Sequence, residues 1–205
     1  SGSDLFSKIG CREKNDKLSH LKMVTAVGIV MGLHAGYEII FKGTEITFDV
    51  IFTYLPVSAL YILSMALGYV GLRYIELSIS SPICNSSGAV VAVLTLITAG
   101  RGDVNNWQLF AVVLVCIGVI ALGIVEATED DELRLERQKQ GNNIYTKSFL
   151  ALALPIVYCL LDALGTFADS LVLQKLDEDS ANVAYELTFL TVGILCLLYL
   201  LIFKK

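Results

Sequence analysis

The sequence has few charged side chains for its length. Asp, Glu, Lys and Arg make up 17% of its 205 residues, whereas ordinary soluble domains contain about 25%. The formal net charge is −5, and no basic surface is evident, which excludes nucleic acid as a partner. The apolar content of 55% excludes a disordered chain, because such chains have too little apolar surface to bury.

Cysteine and histidine are also too few, or wrongly placed, for several functions. Cys11 alone lies in a polar segment, and the other four cysteines lie inside apolar runs, so no disulfide framework is predicted. With two histidines there is no HExxH motif, no Ser-His pairing and no glycine-rich phosphate loop. Asp162 and Asp169 are about 10 Å apart along one helix, too far to share a proton. We therefore predict no enzyme, no metal site and no cofactor.

Long apolar runs are the main feature of the sequence. A helix needs about 20 mostly apolar residues to cross a hydrocarbon core of about 30 Å. Six runs qualify, each bounded by polar or turn residues: 23–41, 50–72, 79–98, 107–125, 149–173 and 183–203. Runs of this length cannot be barrel strands of about 10 residues. The sequence predicts an all-α, polytopic membrane helix bundle with six transmembrane spans.

The basic residues predict an orientation for this bundle. If the chain crosses at all six runs, twelve of the 15 Lys and Arg residues fall on one side, and Lys42, Arg101 and Lys175 fall on the other. By the positive-inside rule, the side with twelve is cytoplasmic. We expect a multi-pass protein of the plasma membrane, with the lipid bilayer as its surroundings.

Three segments resemble EamA-type proteins of the drug/metabolite transporter superfamily. Residues 69–82, an apolar and aromatic stretch before small polar residues and a proline, resemble the family's passage from helix 3 to helix 4. Residues 96–107 with 118–123 are similar to its turn into helix 5, although Gly100-Arg101 stands where the family often has Gly-Glu. Residues 4–8 resemble the end of its helix 1.

This resemblance implies a fold of ten helices in two inverted repeats around a central cavity. Residues 1–126 would hold the end of helix 1 and helices 2–5, residues 127–147 a charged linker, and residues 148–205 helices 6 and 7. The chain would then be incomplete, lacking most of helix 1 and helices 8–10. The family's usual orientation would place the linker outside, opposite to the orientation that the basic residues predict.

Polar residues inside the runs are candidates for a substrate cavity. Tyr158, Asp162 and Asp169 lie on one face of the fifth run, because they are four and seven residues apart. An intramembrane carboxylate is costly and is a functional hypothesis by default. For each acid, a cavity role and a hydrogen bond to a neighbouring helix both remain open.

The second and third runs contribute further polar residues. Tyr61 is in the second run, and Ser81 and Asn85 are in the hydroxyl-rich start of the third, next to Pro82. By the family numbering these runs and the fifth are helices 3, 4 and 6, which line the cavity. The alternative is close helix packing, which also favours small residues in membranes.

The first run has a pattern of its own. Gly28, Gly32 and Gly36 are at successive GxxxG spacings, which predicts close helix packing. His34 and Glu38 are four residues apart, roughly opposite the glycines, and either form a structural pair or take part in proton coupling.

Together these features predict a membrane transporter, either a carrier or an exporter, for a small polar metabolite or drug-like solute. Acids in the cavity favour a cationic or zwitterionic solute, or proton coupling. The alternative is a non-transporting membrane scaffold or assembly protein. The sequence does not indicate the oligomeric state.

Overall fold

The computed structural model describes residues 2–11, 18–74, 77–98, 105–128, 132 and 149–203. The described residues form helices with short connections, which confirms the all-α prediction for this part of the chain. In order, the helices are α1 (Gly2–Cys11), α2 (Ser19–Tyr37) with a π-helical turn (Glu38–Lys42), α3 (Phe48–Tyr74), α4 (Leu77–Cys84), α5 (Ser87–Thr98), α6 (Asn106–Thr128), α7 (Phe149–Val172) and α8 (Glu178–Phe203). The predicted linker at 127–147 lies almost entirely outside the described residues, as does the Gly100-Arg101 turn.

Five helical segments of the described chain are long and apolar enough to cross a membrane: Ser19–Lys42, Phe48–Leu72, Ser80–Thr98, Ala153–Val172 and Glu178–Phe203. They correspond to five of the six predicted spans. The remaining one, at 107–125, falls in α6, where the apolar segment Asn106–Ala121 is shorter. Large apolar side chains on the outside of the bundle, such as Leu33 and Leu201, are more than half exposed, as expected for surfaces that face lipid.

Four helices form the centre of the bundle, linked in sequence as α2–α3 and α7–α8 by two short hairpin connections. The π-helical turn ends at Gly43, whose φ of 72° favours glycine, and the chain then returns as α3. A second short connection joins α7 to α8. In the packed structure α2 lies antiparallel to α8, and α3 lies antiparallel to α7 and also contacts α8.

The two hairpin connections lie at the same end of the bundle. Ser180 at the start of α8 donates a hydrogen bond from Oγ to the carbonyl oxygen of Glu45, at 3.0 Å. Lys42 and Lys175, which flank these connections, are therefore at the same end of the bundle. The distribution of basic residues likewise predicts that they lie on one side of the membrane. Which side faces the cytoplasm stays a prediction.

The core of the bundle lies among α2, α3, α7 and α8. Phe189 is fully buried and packs in one cluster with Val24 and Ile62, whereas Tyr54 and Ala184 belong to a second cluster nearer the hairpin connections. Because lipid is as apolar as these side chains, close van der Waals packing rather than exclusion of water holds such helices together.

The third predicted span, 79–98, is not one continuous helix. It breaks at Asn85 and Ser86, between α4 and α5. Pro82 has no N–H to donate to the preceding turn. Asn85 Nδ2 donates to the carbonyl oxygen of Ser81 at 2.7 Å, and Ser86 Oγ donates to that of Ile83 at 2.6 Å. These side chains compete with helical hydrogen bonding, so the break is built from the polar residues themselves.

Candidate functional site

The predicted polar face of α7 lies against α3. Tyr54 donates a hydrogen bond from its hydroxyl to Asp169 Oδ1 at 2.6 Å, and Tyr61 donates to Thr166 Oγ1 at 3.1 Å. Thr166 in turn donates to the backbone carbonyl of Asp162 at 3.0 Å. The two helices are thus joined by polar bonds at successive levels, which we call the α3–α7 seam. Asp169 is a bonded member of this seam.

Shape complementarity accompanies these bonds. Tyr158 of α7 packs on Gly68 of α3, where an added Cβ would come within 2.8 Å of the tyrosine ring. Tyr61 of α3 packs on Gly165 of α7, where an added Cβ would come within 3.1 Å of the ring. Each helix therefore places a large ring over a glycine of the other, so helix packing accounts for part of the predicted polar face.

Asp162 differs from the other polar residues of the seam. Its side chain is half-buried and makes no hydrogen bond or ion pair within the described chain. It lies close enough to Tyr61, Cys159 and Tyr185 to affect them electrostatically. A carboxylate within an apolar run and without a bonded partner is costly, so Asp162 is a polar group that packing does not explain.

Ser58 is a second polar group without a partner. It is fully buried on the same face of α3 as Tyr54 and Tyr61, because the three lie four and three residues apart. Among the buried side-chain nitrogen and oxygen atoms of the described residues, Ser58 Oγ is left without a hydrogen-bond partner.

A small cavity lies beyond Tyr158, beside the broken helix. Its volume is about 90 Å³, and Ser80, Ser81, Cys84 and Tyr158 contribute to its lining. This volume is large enough to hold water. Nearby, Lys8 of α1 donates a hydrogen bond to the carbonyl oxygen of Leu72.

The structure does not bring all the predicted cavity residues to this space. Ser81 and Tyr158 line it, whereas Tyr61 and Asp169 are bonded within the α3–α7 seam. Asn85 is exposed, and its amide is used to close the break between α4 and α5. In this conformation Tyr61, Asp169 and Asn85 make other contacts, so a single wall containing all six residues stays a prediction.

A charged cluster joins α2 to α8. His34 Nδ1 is 2.8 Å from Glu186 Oε1, and His34 Nε2 is 3.4 Å from Glu38 Oε1. Lys42 Nζ is 2.8 Å from the same oxygen of Glu38. The predicted pair is therefore part of a cluster of four. Two members of this cluster were not predicted. Glu186 lies within the predicted run 183–203, and Lys42 is four residues after Glu38.

The glycines of α2 pack on the same helix as this cluster. An added Cβ at Gly28 would come within 2.8 Å of the Phe189 carbonyl oxygen, and one at Gly32 within 2.6 Å of Leu190. Among the described residues Gly36 has no such contact within 4 Å, so the packing role predicted for it stays a prediction. At 3.6 residues a turn, each step of four residues rotates the stripe by about 40°, which turns Gly36 away from α8.

Comparison with known proteins identifies no relative. No family model, characterised protein or solved structure matches the chain. Within the described residues, no group of three or more His, Cys, Asp and Glu side chains is placed to hold a metal ion. The structure thus defines only a class of protein: the part of the chain that it describes is all-helical and includes five helices long and apolar enough to span a membrane.

Proposed function

We propose that the protein is a multi-pass membrane carrier, of the EamA type, for a small polar solute. The observation that carries this proposal is Asp162, a half-buried carboxylate within a membrane-length helix that has no bonded partner in the described chain. Intramembrane carboxylates that are retained without structural pairing typically lie on solute or proton pathways.

The position of Asp162 in the seam supports this role. Asp169, two turns along the same helix, is stabilised by its hydrogen bond from Tyr54. Asp162 lies near Tyr61 of α3 and Tyr185 of α8, yet no donor among the described residues reaches it. A carboxylate that is free in one conformation is available to a cationic or zwitterionic solute, or to a proton.

The cavity at the break between α4 and α5 supplies the second support. It lies next to Tyr158, one turn from Asp162, and hydroxyl groups line it. A volume of about 90 Å³ is too small for a metabolite, so transport requires a second conformation in which the space widens. Broken helices beside polar cavities are the places where known transporters bind their substrates.

A non-transporting scaffold is the second candidate. The observation that favours it is the interlocked packing of Tyr158 on Gly68 and of Tyr61 on Gly165, which gives the polar face a structural role. Packing explains the tyrosines and glycines, whereas it gives Asp162 no role. The two candidates therefore differ at this residue.

A screen for stabilising solutes tests the proposal. The protein in detergent is melted with a panel of cationic, zwitterionic and neutral metabolites, since a ligand that binds the folded state raises the melting temperature. We expect at least one solute to stabilise the wild type and not Asp162→Asn. The matched control is Asp169→Asn, which changes the bonded acid of the same helix. Stabilisation that persists in Asp162→Asn contradicts the proposed site.

A further inference from the structure

The cluster of His34, Glu38, Lys42 and Glu186 has an arrangement that depends on one proton. Two carboxylates approach different nitrogens of one imidazole ring: Glu186 faces Nδ1 at 2.8 Å, and Glu38 faces Nε2 at 3.4 Å. A neutral imidazole carries hydrogen on one nitrogen, and the other nitrogen is an acceptor. Neutral His34 therefore donates to one carboxylate and presents a lone pair to the other. An imidazolium donates to both.

The charge balance leads to the same result. Glu38 and Glu186 bring two negative charges, and Lys42 brings one positive charge. Their carboxyl side chains are only 10% and 15% exposed, so an unbalanced charge is unfavourable there. With a proton on His34 the cluster is neutral, and without it the cluster has a net charge of −1.

The position of the cluster makes this proton important for helix contact. Along α2, Gly28 and Gly32 are in close contact with α8, whereas Gly36 is not. His34 and Glu38 lie on either side of Gly36, so charged contacts replace close packing at this end of the pair. Glu38 also begins the π-helical turn, a geometry that is common at functional sites.

We propose that these four residues form a binding site for a single proton, and that the bound proton strengthens the contact between α2 and α8 near the hairpin connections. The other titratable groups nearby are Tyr37 on α2 and Asp179 and Tyr185 on α8. Among the described side chains, Glu38 and Glu186 are the acids that His34 contacts. The site does not depend on whether the protein is a carrier.

Melting the full chain in detergent at about pH 5.5 and about pH 8, on either side of the usual titration range of histidine, tests this site. An imidazolium at His34 donates to both carboxylates and balances the charge of the cluster, so the contact between α2 and α8 should be more stable at the lower pH. We expect the wild type to melt about 2–4 °C higher at the lower pH, the shift that one added contact produces in a chain of this length.

Two substitutions at His34 separate proton binding from a structural role. His34→Gln retains hydrogen bonding without a titratable charge. Its melting temperature should therefore not change with pH, and it should be close to the lower of the two wild-type values. His34→Arg is charged at both pH values. Its melting temperature should also not change with pH, and it should be close to the higher of the two wild-type values. His20→Gln is the matched control, because it removes the other histidine of α2, and it should keep the wild-type shift.

A wild type without the shift, or His34→Gln with the full shift, overturns the proposal. If His34→Gln does not fold, Glu186→Gln provides the test instead, because it removes the carboxylate at Nδ1 and should at least halve the shift. A full shift in Glu186→Gln also overturns the proposal.

Discussion

The hydrogen bond between Tyr54 and Asp169 should contribute measurably to stability. It joins α3 to α7 at 2.6 Å, and its acceptor is a carboxylate, which makes stronger hydrogen bonds than neutral groups do. Tyr54→Phe removes the hydroxyl and keeps the ring, which is 3% exposed in the wild type. The substitution therefore isolates the bond from the packing.

The expected magnitude follows from the membrane setting. Interhelical hydrogen bonds in membranes contribute about 0.6 kcal/mol on average and at most about 1.7 kcal/mol. A short bond to a carboxylate should lie in the upper half of this range, so we expect Tyr54→Phe to cost about 1–1.7 kcal/mol. For a chain of this length, that lowers the melting temperature by roughly 2–7 °C.

A double-mutant cycle in detergent measures this bond directly. Tyr54→Phe, Asp169→Ala and the double variant are melted together, and the coupling energy between the two sites should be about 1–1.7 kcal/mol. Tyr61→Phe, which removes a bond between two neutral hydroxyls, is the matched comparison and should cost less. A coupling energy near zero, or a larger loss in Tyr61→Phe, would refute the account of the seam.

Three further predictions concern packing and sidedness. Gly28→Ala should lower the melting temperature because its Cβ meets backbone atoms of α8, whereas Gly36→Ala, with open space, should leave it unchanged or raise it; equal losses would contradict the packing account. Ser58→Ala should be neutral or stabilising, because it removes a buried hydroxyl without a partner, and a loss above about 1 kcal/mol would reveal a bond that the structure does not contain. Cysteines introduced at Lys42 and Lys175 should react with an impermeant reagent from the same side, which the positive-inside rule makes the external side; labelling from opposite sides would contradict the fold.

The positions of the helices could be predicted because hydrocarbon thickness fixes the length of an apolar run. The predicted boundaries of α3, 50–72, differ by only two residues at each end from Phe48–Tyr74. The break between α4 and α5 could not be predicted in detail, because it depends on which of several hydroxyl and amide groups bonds to which carbonyl. Pro82 indicated only that the helix would be disturbed there.

The candidate site was less predictable than the fold. Helical spacing placed Asp162 and Asp169 on one face correctly, but their different states depend on Tyr54, which is 115 positions from Asp169. Likewise, Glu186 contacts His34 across 152 positions. Spacing along one helix shows which residues share a face, whereas partners on another helix are set by tertiary packing.

The measurement that tests the proposed function most directly is solute uptake by vesicles containing wild type, Asp162→Asn or Asp162→Leu, with the melting temperature of each. A carrier that uses the carboxylate predicts that Asp162→Asn folds with nearly wild-type stability but loses transport or its pH dependence. Normal, pH-dependent uptake by Asp162→Asn, with Asp162→Leu failing only through loss of stability, would contradict this account and favour a packing role.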